Sequence, residues 1–176
     1  LSNSIRSMYD LVGRGGVPSI HMANAILDTR ALLDEGKALP VPGRWRAGED
    51  TQLVIVQFEK SITSENRADL ETVGVQVAHY LPKNAFAVYL HDVPRDRLMK
   101  LKGILHVEPY HPYFKMSASV LDHFVGENAG ALSVGQYNLL MRGDADIGGV
   151  LAGAGVDLVK TSMVNQSRPV VTVDAQ

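Results

Sequence analysis

From Gln52 to Ser117 the apolar positions change period in a fixed order. Leu53–Phe58 (LVIVQF) is almost uniformly apolar and rich in β-branched residues, the pattern of a central strand buried on both faces. Thr63 or Ser64 can cap a helix that follows, with Glu65 in its first turn, Leu70 and Val73 facing inward and Ile62 at the entry. Gly74 stands where a left-handed residue closes a helix. Val75–Tyr80 and Phe86–Leu90 predict two strands joined through Leu81-Pro82-Lys83-Asn84. Pro94 suits the opening of a second helix, Leu98 and Leu101 face inward, Gly103 ends it, and Ile104–Glu108 predicts a last strand.

This order, strand-helix-strand-strand-helix-strand, predicts an α+β, ferredoxin-like module: a four-stranded antiparallel sheet with two helices on one face. The other face is expected to be left for solvent, a partner or a neighbouring domain. A weaker copy follows, with Gln136–Arg142 as strand, Asp144–Ala154 as helix closed by Gly155, then Val156–Ser162 and Pro169–Val173 as strands. Its second helix and last strand are missing from the pattern, and a sheet short of a strand exposes an edge. The predicted organisation is an N-terminal extension and connector over 1–50, a ferredoxin-like domain over 51–117, a linker over 118–135 and a partial second module over 136–176.

The first 50 residues carry weaker signals. Ser2–Gly16 could hold a turn or two of amphipathic helix, and Ala25–Leu27 a short strand. Pro40 and Pro42 exclude a regular helix there, so 31–50 is expected to be an extended connector on the next domain's surface. The chain opens on Leu1 with no leader-like segment, so it starts either after a removed leader or inside a longer polypeptide.

Composition narrows the function classes. A net charge of −2 with scattered basic residues gives no nucleic-acid or membrane-surface field, and no apolar stretch nears the roughly 20 residues that span a bilayer. The absence of cysteine removes disulfides, thiolate metal sites and a cysteine nucleophile. The six histidines, His21, His79, His91, His106, His111 and His123, show no zinc-binding spacing, and no metal or cofactor is expected. His79 and His106 fall on predicted strands and could be sheet neighbours. Gly13-Arg14-Gly15-Gly16 lacks the Lys-Ser/Thr of a phosphate loop and reads as a hinge.

The Leu53–Phe58 strand, the hairpin Tyr80-Leu81-Pro82-Lys83-Asn84-Ala85-Phe86-Ala87-Val88 and the exit Leu101–Pro109 together resemble the propeptide domain of subtilisin-like serine proteases. The resemblance is closest to the N-terminal tandem modules of large secreted bacterial members, and Ile26–Arg30 resembles their lead-in. It covers about 26–117 well and 130–176 loosely.

In that family the propeptide sheet packs on the protease, and the residues after its last strand enter the active-site cleft. The resemblance therefore implies a non-catalytic region of a secreted or periplasmic precursor, acting as intramolecular chaperone or inhibitor, or as a processed accessory chain. Its partner would be a subtilisin-like catalytic domain or the rest of its own precursor, with a second chain completing 136–176. The implied tail is Tyr110, His111, Pro112, Tyr113, Phe114, Lys115 and Met116, either a cleft ligand or a connector between modules. The alternatives are an interaction module of an extracellular assembly without protease activity, and a ligand-sensing domain.

No catalytic triad is expected. Thr161-Ser162-Met163 matches the core of the subtilisin nucleophile motif, but it follows Lys160 and lies on a predicted strand, where the helix N-terminus and oxyanion donor are absent. Asp28-Thr29-Arg30 carries Arg where the catalytic Asp motif has Gly, and no His-Gly-Thr-His segment occurs.

Overall fold

Strand β3, Leu53–Phe58, is central because its side chains are buried on both faces, as its uniform apolarity predicts. It is one element of a computed structural model that describes residues 19–22, 24–29, 41–117, 120–121, 135–142, 144–154, 156–165 and 168–175. The chain is α+β, built from antiparallel sheets and few helices, and divides into two compact units, 1–122 and 123–176. The expected helical turns of Ser2–Gly16, residues 31–40 of the connector and the stop at Gly155 lie outside the described residues.

The first unit contains a short hairpin of β1 (Ser19–His21) and β2 (Ile26–Asp28), then β3, helix α1 (Ser64–Thr72), β4 (Gln76–Leu81), β5 (Ala85–Tyr89), helix α2 (Arg95–Met99) and β6 (Ile104–Pro109). The four long strands order as β4-β5-β3-β6 with every pair antiparallel. Thr63 caps α1 in a reciprocal box: its hydroxyl accepts from the Asn66 N–H at 3.2 Å, and the Asn66 side chain accepts from the Thr63 N–H at 3.0 Å. Gly74 and Gly103 hold the left-handed φ values of +94° and +80° expected of them.

Alternation splits the sheet into two cores. Val54, Val56 and Phe58 of β3 meet Phe86 and Val88 of β5, Leu70 of α1 and Leu98 of α2, so both helices cover one face. On the other face, Ile55 with Ala85 and Ala87 meets Ile20, Leu27, Val41, Tyr110, Tyr113 and Phe114. That face is not open, as the sequence pattern suggested: the β1–β2 hairpin, Val41 and the segment after β6 fill it. The small side chains of Ala85 and Ala87, both fully buried, leave room for the aromatic rings.

The sheet order also separates the two histidines that could have been sheet neighbours. His79 lies on β4 and His106 on β6, the opposite edges, with β5 and β3 between them. His79 packs instead edge-on to the Tyr110 ring, with centroids 6.1 Å apart.

The second unit contains β7 (Gly135–Leu140), helix α3 (Ile147–Ala154), β8 (Asp157–Asn165) and β9 (Arg168–Ala175), ordered β7-β9-β8 and antiparallel. Leu151 of α3 packs on Val171 and Val173 with Tyr137, Leu139 and Met141 at its border. Thr161-Ser162-Met163 lies in β8, exposed, without the helix start a nucleophile needs.

Candidate functional site: the aromatic exit and its histidine clasp

Every predicted tail residue is placed by the end of β6. The Tyr110 N–H donates to the Leu53 carbonyl at 3.0 Å, extending the ladder one residue beyond β6. Pro112 then opens a short 3-10 turn, Pro112–Lys115, closed by the Phe114 N–H to the His111 carbonyl at 2.9 Å. The turn sends the chain back over the sheet instead of onward.

Tyr110, His111, Tyr113 and Phe114 are buried by this turn, Phe114 to 2 % exposure; Pro112 and Met116 are half-buried and Lys115 is exposed. Phe114 sits at the hub. Its ring meets Tyr110 at 6.2 Å and Tyr113 at 5.9 Å in edge-to-face contacts, and tilts against His111 at 5.6 Å. Burial pushes the Tyr110 phenol above its ordinary range. From the N-terminal hairpin region, the Asn24 side chain donates to the Tyr113 carbonyl at 2.6 Å.

A polar clasp holds the root of the turn. Glu108 bridges two imidazoles, with Oε2 to His106 Nε2 at 3.1 Å and Oε1 to His111 Nε2 at 3.2 Å. The Ala47 N–H donates to His111 Nδ1 at 2.9 Å. That bond assigns the tautomer: Nδ1 accepts, so Nε2 carries the proton and donates to Glu108. The clasp therefore ties β6, the turn and the connector around Ala47 through one side chain.

Sequence reasoning picked out His111 for its place in the tail but missed Glu108 and the clasp. The available signal was the period of two that puts His106 and Glu108 on one face of a strand, with His111 three residues on.

Burial alone raises the Glu108 carboxyl. Hydrogen bonds from both histidines, and their charge, outweigh it and hold the group below its ordinary value of 4.5. A carboxyl depressed in the folded state stabilises above the unfolded value, and that contribution disappears as pH falls through the folded one. Glu108→Gln should cost about 1–3 kcal/mol at neutral pH, and the penalty should shrink as pH falls from the unfolded value through the depressed folded one, where glutamate also loses its charge. Thermal unfolding of both proteins from pH 7 to 3 checks this; parallel curves would refute it.

The clasp has the chemistry of a structural lock. Among the described residues no cluster of His, Asp or Glu has the arrangement of a metal site, and no described helix is long and apolar enough to cross a membrane.

Compared with known families, residues 21–111, just over half of the 176, match a family described as a domain of unknown function, DUF8729. The chain belongs to the DUF8729 family. No curated protein and no solved structure matches it. The DUF8729 segment opens on His21 in β1 and closes on His111, so it takes in part of the hairpin, the whole four-stranded sheet and all three clasp residues. The aromatic turn beyond His111 lies outside the DUF8729 match, although Tyr113 and Phe114 pack into the same core.

Proposed function

We propose that this chain is a non-catalytic, propeptide-type accessory region of a secreted subtilisin-like precursor. In this reading it carries two ferredoxin-like modules in tandem, the second represented by its β-α-β-β part. It is held to the rest of the precursor by its outer surface, not by a tail threaded through the protease cleft.

The strand order β4-β5-β3-β6 with both helices on one face supports the ferredoxin-like frame. The tandem rests on matched details of the two units. The Phe58 N–H donates to the Asn84 carbonyl at 2.8 Å as the Met141 N–H does to Pro169 at 2.9 Å. The Val75 N–H reaches back to the Leu70 carbonyl at 3.3 Å as Val156 does to Leu151, also at 3.3 Å. Each second strand is irregular at the same step, between Val77 and His79 in β4 and between Leu158 and Lys160 in β8. A register shift at the same step in both units is a feature of descent or design more than of chance.

The observation that favours an accessory role over a cleft inhibitor is the closed far face of the first sheet. The face that would dock on a protease and the tail that would enter its cleft are packed on each other. Expressed as separate polypeptides, this chain and the catalytic domain of its precursor should co-elute, while peptide hydrolysis stays within roughly twofold of the free enzyme. Separate elution would overturn the accessory role, and strong inhibition would return the tail to the cleft.

A further inference from the structure

The geometry points to the outer edge of β7 as an acceptor for a helix-then-strand segment, the strand adding antiparallel to β7 and the helix covering Tyr137, Leu139 and Met141. This uses the correspondence between the two units but not the protease-precursor setting, so the two can fail separately.

Among the described residues β7 pairs only with β9. Its counterpart β3 has strands on both sides, β5 on one and β6 on the other. The hydrogen bonds that match Phe58 with Met141 also fix the rest of the strand: Val54 corresponds to Tyr137, Ile55 to Asn138, Val56 to Leu139 and Gln57 to Leu140. Phe58 and Met141 both donate to the third strand of their unit. By alternation the backbone groups of Tyr137, Leu139 and Met141 turn toward β9, and those of Gln136, Asn138 and Leu140 turn toward the outer edge. The equivalent groups of Leu53 meet β6, as the Tyr110 N–H to Leu53 carbonyl bond shows.

The apolar surface argues the same way. In the helix-side cluster of the first unit, α2 supplies Leu98 and β6 supplies Ile104. In the second unit Leu151, Val171 and Val173 form the described helix-side core, Tyr137, Leu139 and Met141 are only partly buried beside it, and Leu140 of β7 stands 60 % exposed. The other edge, β8, corresponds to β4, which is an outer strand in the complete unit as well. The first unit thus specifies the occupant: an apolar helix residue placed like Leu98, then a strand with apolar residues placed like Ile104 and Val107, running antiparallel opposite Tyr137–Met141.

A synthetic peptide of residues 93–110, which carries α2 and β6, serves as the probe. Added to the full chain, it should slow amide hydrogen exchange at Asn138 and Leu140 by roughly tenfold or more while leaving β8 unchanged. Asn138→Pro removes an outward N–H while leaving the backbone bonds to β9 in place and should abolish the effect; Asn138→Ala loses the same Thr172 hydroxyl bond to the Asn138 side chain but keeps the N–H and should retain it. Exchange unaffected by the peptide, or slowed along β8 instead, would overturn the assignment. Protection of Asn138 and Leu140 that grows with chain concentration in the absence of peptide would also overturn it, because the occupant would then be a second copy.

Discussion

Phe114→Ala should destabilise the first unit by about 3–5 kcal/mol, the range for truncating a fully enclosed phenylalanine. Phe114 is 2 % exposed, and its ring is the shared contact of Tyr110, His111 and Tyr113. Removing it empties the centre of an aromatic group that the flanking chain cannot collapse to fill, because Tyr110 is tied to Leu53 and Tyr113 to Asn24 through backbone carbonyl or amide bonds. Against a total stability of about 5–15 kcal/mol for a domain, such a loss is large. At about 4–8 °C per kcal/mol for a unit of this size, it should appear as a large fall in the melting temperature of the first unit.

The same substitution separates a local event from a global one. Lys115 follows Phe114 and is exposed, so trypsin can cut after it once the turn opens. In Phe114→Ala, cleavage after Lys115 should accelerate ahead of cleavage after Arg67 in α1. Equal acceleration at both sites would show that the turn has no separate opening and that the aromatic exit is merely part of the core. Early opening would mean that a tail closed in the resting chain can be released without unfolding the sheet.

The first unit was legible because its local signals agree with one another. Uniform β-branched residues made β3 central, Thr63 and Pro94 opened helices, and Gly74 and Gly103 closed them at left-handed positions. The pairing of the elements was harder to read. His79 and His106 both lie on strands and could have been neighbours, yet sheet order puts them on opposite edges, and no local pattern encodes that order. β1 escaped notice because Ser19-Ile20-His21 is too short to show a period. The cover over the far face was illegible for a related reason: Ile55, Ala85 and Ala87 announce that something packs on them, and nothing in their own pattern says what. In the second unit β8 runs to Asn165, beyond the expected Ser162, because pairing with β9 continues through Met163 opposite Pro169 and Asn165 opposite Arg168. The aromatic residues of the exit stood out in the sequence as a group, but whether such a group lies in a partner's cleft or in its own core depends on the turn at Pro112.

Gln57→Glu should be the most damaging single-atom-scale change in the sheet, at about 3–5 kcal/mol for an uncompensated buried charge. Gln57 lies near the end of β3 on the sheet's far face at 2 % exposure, and its amide nitrogen donates at 3.3 Å to each of two carbonyls, those of Ser19 and Lys83. It thereby joins β3 to the N-terminal hairpin and to the β4–β5 turn. Its Oε1 has no donor among the described residues. A glutamate there exchanges both donated bonds for two carbonyl dipoles pointed at a carboxylate in a site with little water. The charged form is therefore disfavoured, and the folded pKa of the new group is raised above its unfolded value of about 4.3. The sign is opposite to that of Glu108. A raised carboxyl costs little below the unfolded value, and its penalty grows as pH rises toward the folded one. The melting temperature of Gln57→Glu should thus approach the wild-type value near pH 4 and fall progressively behind it toward pH 8. A gap independent of pH would mean that the loss comes from the two donated bonds alone, and that the new carboxylate reaches water through an opening between the hairpin and the sheet.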